Sequence, residues 1–214
     1  MQYEAQRQQL IDTARTMERM GLVQLSGGNV SMRMPCSNFL VTPSAMGYDT
    51  MVPEDIVLID ACGNTVEGFR RPSSDWKALV YIFRHMPQVN VILHTHQSAA
   101  VSLSLVADEL PVISTTMVDE LKDAVQVAPF TISTDEGMGI STVQYAGKAL
   151  AVILKNHGVI AYGKNMDQAL AAAIYLEGSC EAYLKALATG LPITCLTREQ
   201  IEAEDAPRGN YGQP

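Results

Sequence analysis

The stretch that decides the fold is SSDWKALVYIFRHMPQVNVILHTH, residues 73–96. Its first half predicts a helix, because Ser73, Ser74 and Asp75 suit a helix N-cap and Pro87 closes the segment. The apolar stripe of this helix comprises Ala78, Leu79, Ile82 and Phe83. The element therefore offers a helix start that can receive an anion, with a carboxylate on its first turn.

The second half of the stretch predicts a strand that ends in two histidines. Val89 to Leu93 is rich in β-branched residues, and His94 and His96 follow at its far end. Side chains alternate along an extended segment, so both imidazoles lie on one face. They are then close enough to share one metal ion.

Elsewhere the chain predicts short strands in close succession, which indicates hairpins and a largely antiparallel sheet. These strands fall at 30–34, 39–42, 56–60 and 65–66, with a hairpin over 151–162 that carries His157 at its tip. Residues 110–133 alternate strand-like pieces around TTMVDE. Helices are predicted at 4–20, 98–106, 141–149 and 166–187, and after the capping box of Thr197 and Gln200. The fold class is α/β, with helices on both sides of one sheet.

Composition narrows the class of protein. With 214 residues, a single domain over 1–214 is expected. The net charge of -8 and pI near 4.9, without a basic run, argue against a nucleic-acid surface. The N-terminus is a charged helix start, and no apolar run reaches the length of a membrane span. Four cysteines without a CxxC pair suggest reduced thiols in the cytoplasm.

Three of the four histidines form a candidate metal site. His94, His96 and His157 would supply three imidazoles and leave one position open, as catalytic zinc sites do. The alternative is that they are hydrogen-bonded histidines at strand ends. His85, beside Arg84 near a helix end, is expected to be structural because its charge suits the helix dipole.

Two further features point to ligand chemistry, each with a plain alternative. Gly27 and Gly28 let backbone amides approach a ligand closely, although an ordinary turn before a hairpin would also use them. Asp75 can move a proton next to a metal, or it can serve only as a stabilising charge at a helix N-terminus. The residues alone leave both alternatives open.

Five short motifs occur in a fixed order: GGNVS (27–31), TPS (42–44), PSSD (72–75), HTH (94–96) and NHG (156–158). Together they resemble the class II aldolase/adducin family. The resemblance covers nearly the whole chain. It implies a three-layer α/β/α domain with a mostly antiparallel central sheet, a zinc ion or another divalent metal, and a homotetramer with active sites at subunit interfaces.

The resemblance also implies roles for individual residues. The metal ligands fall on His94, His96 and His157, and the acid/base carboxylate falls on Asp75. The phosphate-binding positions fall on Gly28, Asn29, Ser44, Ala45, Ser73 and Ser74. Tyr211 resembles a proton donor or acceptor in the tail, which is expected to complete an active site over about 203–214. Asp119 resembles an aspartate supplied by a neighbouring subunit.

Three functions follow from the resemblance. The first is a metal-dependent aldolase that cleaves a ketose 1-phosphate to dihydroxyacetone phosphate and an aldehyde. The second is a 4-epimerase of a pentulose 5-phosphate, favoured by Asp75 and the segment around Asp119 and opposed by the lack of a histidine after His157. The third is a non-catalytic interaction module, and a related family reaction (decarboxylation or dehydration) is a further alternative. A zinc hydrolase is a further rival, and it would need no phosphate subsite. The sugar is not specified by the sequence.

Overall fold

The structure is a computed structural model that describes residues 1–133 and 135–206. Its strands, in chain order, are β1 (Asn29–Met34), β2 (Asn38–Val41), β3 (Val57–Ile59), β4 (Thr65–Glu67), β5 (Val91–Thr95), β6 (Glu109–Leu110), β7 (Val125–Ala128), β8 (Ala151–Leu154) and β9 (Gly158–Gly163). They form one sheet in the order β4-β3-β2-β1-β5-β9-β8-β7-β6. Neighbouring strands are antiparallel except β7 and β8, which are parallel.

The position of β5 in the middle of the sheet determines which segments lie beside the two histidines at its end. It lies between β1, which follows the glycine loop, and β9, which follows His157. The register sets Asn29 opposite His94 on one side of β5. On the other side it sets Thr95 opposite Val159. Three segments far apart in sequence thus meet at one end of the sheet.

Helices cover both faces of the sheet. They are α1 (Glu4–Arg19), α2 (Trp76–His85), α3 (Ser98–Ser104), α4 (Thr115–Glu120), α5 (Gly137–Tyr145), α6 (Met166–Leu187) and α7 (Arg198–Glu204). Residues of α2 and α5 share one buried cluster, in which Phe83 stacks on Phe39 with ring centroids 4.8 Å apart. The other five helices contribute to the cluster on the opposite face. The predicted α/β fold with a mostly antiparallel sheet between two helical layers is confirmed.

The strongest local signals were read correctly. The longest helix, α6, has the predicted bounds, and the Asn165 side chain caps it by accepting from the Gln168 amide. Thr197 and Gln200 form the predicted capping box at the start of α7. Although α6 has 22 residues, no helix in the described ranges is long and apolar enough to cross a bilayer.

Two local predictions differ from the structure. Strands β6 and β7 lie on either side of TTMVDE (115–120) as predicted, but TTMVDE itself forms the unpredicted helix α4, because the Ser114 hydroxyl accepts from the Met117 amide and caps it. The predicted helix at 141–149 starts earlier, at Gly137, and ends at Tyr145. The Gly137 amide donates to the Asp135 carboxylate over 2.7 Å, which favours a turn into a helix there.

Candidate active site

Three imidazoles converge at one end of the sheet. His94 is the next-to-last residue of β5, His96 directly follows the strand, and His157 occupies the tip of the β8–β9 hairpin. The Nε2 atom of His94 lies 3.2 Å from the Nε2 of His157 and 3.2 Å from the Nε2 of His96. The predicted pairing of His94 and His96 on one strand face, with His157 brought to them, is what the fold produces.

This arrangement fits a divalent metal ion. A tetrahedral zinc with Zn–N bonds of about 2.05 Å holds its nitrogens about 3.3 Å apart, close to the observed separations. The Nδ1 atom of His94 lies 3.0 Å from the Val159 carbonyl oxygen, so it carries the proton and directs the Nε2 lone pair toward the other two rings. The three ligand atoms form one group within 4.8 Å.

The protonation of the rings supports the same interpretation. Burial, with a smaller contribution from the neighbouring His157 and His96, lowers the pKa of His94 to about 3. Burial also lowers the pKa values of His96 and His157. All three imidazoles are therefore neutral near pH 7, which is the form that binds a metal.

Asp75 faces this cluster. It occupies the N-cap position of α2, but its side chain makes no capping hydrogen bond. One carboxylate oxygen, Oδ2, accepts from the Asn29 amide over 2.8 Å and lies 3.9 Å from Nε2 of His94. Burial raises the pKa of Asp75, while the hydrogen bonds from Ser74 and Asn29 and the nearby His96 act in the opposite direction. A buried carboxylate next to candidate metal ligands is suited to carrying a proton.

Asn29 connects the glycine loop to the carboxylate. Its Nδ2 donates to Ser73 Oγ over 3.1 Å as well as to Asp75. Its Oδ1 is buried and has no hydrogen-bond partner among the described residues. An acceptor of this kind is available to a ligand hydroxyl, since a buried polar atom left unpaired is costly.

Two loops bring the predicted phosphate residues together. The Ser44 amide donates to the Arg71 carbonyl and the Ser73 amide donates to the Thr42 carbonyl, each over 3.0 Å. An isolated bridge between Pro43 and Pro72 joins the same loops. Ser44 and Ser73 are thereby held on one wall of the site, at the start of α2.

The result is a polar cavity of about 220 Å³. Its lining comprises Ser26, Gly27, Gly28, Pro43, Ser44, Ala45, Ser73, Ser74, Asp75, His94, His96, Ser133 and His157. Most of the predicted site residues are thus brought to one place, with Asn29 beneath them. A larger cavity of about 390 Å³ lies around Gln88, Lys148 and Gln168 and is lined by no histidine or acidic residue.

Two predicted site residues are not placed in this cavity. Asp119 lies on α4, is half-buried and does not line it, so any role there would require a neighbouring chain. Tyr211 lies outside the described residues, as does the tail beyond 206 that was expected to complete a site. The roles of Asp119 and Tyr211 stay predictions.

Sequence reasoning missed the residues on one side of the cavity. Ser26 and Ser133 line it, and Ser133 also lines a neighbouring depression of about 220 Å³ that is shared with His157. The walls of that depression include Phe130 and Ile132, whose exposed fractions are 64% and 62%. The FTIS sequence (130–133) was interpreted as strand-like, and the exposure of its apolar residues becomes visible only in the structure.

We expect Gly28→Ala to destabilise the folded protein. Gly28 has a φ of 71°, and an added Cβ would lie 2.2 Å from the His94 carbonyl oxygen. The left-handed conformation alone costs an alanine roughly 1–3 kcal/mol, so we expect a loss of more than about 2 kcal/mol in denaturant unfolding. Gly178→Ala on α6 is the control, because a Cβ there meets nothing within 4 Å and should stabilise the helix by up to about 1 kcal/mol. Equal effects at the two positions would contradict this packing argument.

Comparison with known proteins identifies the family of the chain. The model of the class II aldolase and adducin N-terminal domain matches residues 8–184, and the chain belongs to this family. The L-fuculose phosphate aldolase of Haemophilus influenzae is 31% identical over 205 residues, covering 96% of this chain and 94% of that protein. The 5-deoxy-D-ribulose 1-phosphate aldolase of Bacillus thuringiensis is 26% identical over the full length of both chains. A solved structure of L-fuculose 1-phosphate aldolase superposes with a TM-score of 0.87 at 26% identity, covering 93% of each chain.

Proposed function

We propose that this protein is a metal-dependent sugar-phosphate aldolase that cleaves a ketose 1-phosphate into dihydroxyacetone phosphate and an aldehyde. The observation that carries the proposal is the position of the Asp75 carboxylate, 3.9 Å from Nε2 of His94, in a cavity that also holds the paired serines. Metal ligands, a proton carrier and a phosphate subsite are the three parts that retro-aldol cleavage of such a substrate requires. The aldolase names of the relatives support the same class.

The metal is proposed to be zinc or another divalent ion, held by His94, His96 and His157. Three neutral imidazoles accept several such metals, and zinc is the commonest in a three-histidine catalytic site. When bound, the metal supplies a Lewis acid that draws electrons from the carbonyl carbon of the ketose. The imidazoles contribute by staying neutral and by keeping the Nε2 atom of His94 3.2 Å from the Nε2 atoms of His96 and His157.

The phosphate group is proposed to lie among Ser44, Ser73 and Ser74, with backbone amides near Gly28 and Ala45. This wall contains the start of α2, whose N-terminus favours an anion. The chain carries a net charge of -8, so attraction for phosphate must come from such local donors and not from the overall field. The hydroxyls and amides position the substrate so that its reacting carbon lies near Asp75.

Asp75 is proposed to deliver the proton to the carbon at which the bond has broken. Its raised pKa makes the protonated form accessible, and hydrogen bonds from Asn29 and Ser74 hold its carboxylate in place. Tyr211 is proposed to take the proton from the hydroxyl that becomes the aldehyde, with Asp119 assisting. We propose a homotetramer with interface active sites, since Asp119 does not reach the cavity within its own chain. All four cysteines are unpaired thiols, which fits a protein of the reducing cytoplasm.

Release of dihydroxyacetone phosphate is the test. The metal-replete protein is incubated with L-fuculose 1-phosphate, 5-deoxy-D-ribulose 1-phosphate and pentulose 5-phosphates, with and without a chelator. We expect release from a ketose 1-phosphate that chelation abolishes and added metal restores. Interconversion of two pentulose 5-phosphates without release would overturn the aldolase proposal in favour of the 4-epimerase. Silence on every substrate with metal bound would favour the non-catalytic module.

A further inference from the structure

The three imidazoles are restrained in different ways. His94 is fixed through its ring, because its Nδ1 bonds the Val159 carbonyl. Within residues 1–133 and 135–206, no hydrogen bond is made by Nδ1 of His96 or of His157. Since metal-binding histidines are normally oriented by a partner on the other ring nitrogen, these two must be positioned through their backbone.

We propose that Gln97, Glu177 and Ser104 are positioning residues that hold His96 and His157 by tying their backbone to α6 and α3. This inference rests on the proposed metal site. It concerns how the chain keeps two ligands in place, and none of the three residues lines the cavity.

Gln97 ties the strand end to α6. The alternation that turns His94 and His96 toward the cavity turns Gln97 to the opposite side, where it is fully buried. Its Nε2 donates to the Ala173 carbonyl of α6 over 2.6 Å, while its Oε1 has no partner among the described residues. An apolar side chain would fill this position without an unpaired oxygen, so the amide is explained by the bond it donates.

Glu177 lies one helical turn beyond Ala173 and ties α3 to the same helix. Its two carboxylate oxygens accept from the amides of Ala99, over 2.9 Å, and Ala100, over 3.1 Å. These amides open the first turn of α3, so the carboxylate satisfies donors that the helix itself leaves unpaired. The segment that follows His96 is therefore held on α6 at two points one helical turn apart, Ala173 and Glu177.

Ser104 extends the connection from α3 to the third imidazole. It is fully buried at the end of α3, where its hydroxyl donates to the Val101 carbonyl over 2.7 Å. The same oxygen accepts from the Asn156 amide over 3.2 Å. Asn156 has a left-handed φ of 59° and directly precedes His157 at the hairpin tip. A chain of contacts thus runs from α6 through Glu177 and α3 to His157.

The positions of His96 and His157 therefore both depend on contacts that lead back to α6. A metal site tolerates ligand displacements of only about 0.2 Å, so loosening either connection should weaken metal retention before it unfolds the protein. An isolated packing role for these residues would instead affect stability alone.

Gln97→Met tests the proposal, because methionine keeps the volume and removes the donor. In zinc-loaded protein we expect release of the metal to a chromogenic chelator to be roughly 10–100-fold faster than in the parent, the same range as for losing a group that bonds a ligand ring directly. The absorption spectrum of the cobalt-substituted variant should also change, since it reports ligand geometry. Ser104→Ala should accelerate release in the same direction by loosening His157.

Thr142→Val is the matched control. Thr142 is also fully buried and donates to a helix carbonyl, that of Met138 over 2.8 Å, but it lies on α5. It should lose some stability and keep the parent's release rate and cobalt spectrum. The inference is overturned if Gln97→Met retains both properties of the parent, or if Thr142→Val alters them equally. A parent chain that binds no metal would overturn the metal site itself and this inference with it.

Discussion

Replacing Asp75 with asparagine is expected to lower turnover by about 10²–10⁴-fold while making the metal-free protein more resistant to heat at neutral pH. Asparagine keeps the shape of the side chain and can still contact Asn29 and Ser74, but it cannot carry a proton. The loss should appear in kcat, because the phosphate contacts and the metal ligands are unchanged. Zinc content is measured in parallel to separate lost chemistry from lost metal.

The stability gain follows from the direction of the pKa shift. Burial raises the folded-state pKa of Asp75 above its unfolded value of roughly 3.9. The protonated carboxyl is therefore the form that the fold favours. Its contribution to stability is fully present below the unfolded pKa and is lost as the pH rises through the folded pKa. Above the unfolded pKa, folding must either bury the charged carboxylate or protonate it, and asparagine removes that cost.

The melting temperature of metal-free Asp75→Asn is compared with that of the parent between pH 4 and pH 8. We expect the two to be similar at the acid end, with the variant increasingly more stable toward neutral pH. Asp108→Asn is the control, since the Asp108 side chain is 91% exposed and its replacement removes no buried charge. Parent-like kcat with zinc bound would remove Asp75 from the chemistry. A melting temperature below that of the parent at pH 7 would show that its hydrogen bonds outweigh its burial.

Local chemistry explains which elements the sequence predicts well. The bounds of α6 follow from the Asn165 cap and a long run of helix-forming residues, and the β8–β9 hairpin follows from two apolar runs around KNHG. The convergence of His94 and His96 follows from strand periodicity alone. α4 was missed because a single serine cap at Ser114 outweighs a composition rich in β-branched residues.

The site itself depends on contacts that span long distances in sequence. Asn29 meets Asp75 across 46 residues, and His94 meets His157 across 63. Periodicity within an element cannot specify these pairs, because they are set by the order and register of β1, β5 and β9. The family resemblance predicted that these residues belong to one site. It gave no indication of Gln97 or Glu177, which have no motif spacing and matter only through α6.

Removing one imidazole is expected to abolish metal binding and turnover together. His157→Ala is the suitable change, because His157 is half-buried at a hairpin tip and can be truncated without opening the core as loss of the buried His94 would. Loss of an outer-shell partner alone costs roughly 10–100-fold in metal affinity, so loss of a ligand should cost more than about 100-fold. Metal content after dialysis and dihydroxyacetone phosphate release are measured on the same samples.

His85→Ala provides the control for this experiment. His85 is exposed at the end of α2, where its ring stacks on Tyr81 with centroids 4.0 Å apart, and it belongs to no metal-binding group of the described residues. It should retain metal and turnover. Parent-like metal content in His157→Ala would mean that the hairpin imidazole is not a ligand.

The acid limit of the parent provides a second prediction from the same three rings. Protons compete with the metal for Nε2. Because burial lowers the pKa of His94 to about 3, protons compete only weakly at this ring. The metal-free folded state is stable with neutral imidazoles above the unfolded pKa near 6.5 and loses that contribution as the pH falls toward the folded values. We therefore expect half of the zinc to be released below pH 6.5, followed by unfolding at lower pH. Half-release at or above pH 6.5 would show that protonation of these rings does not set the acid limit, and it would contradict this prediction.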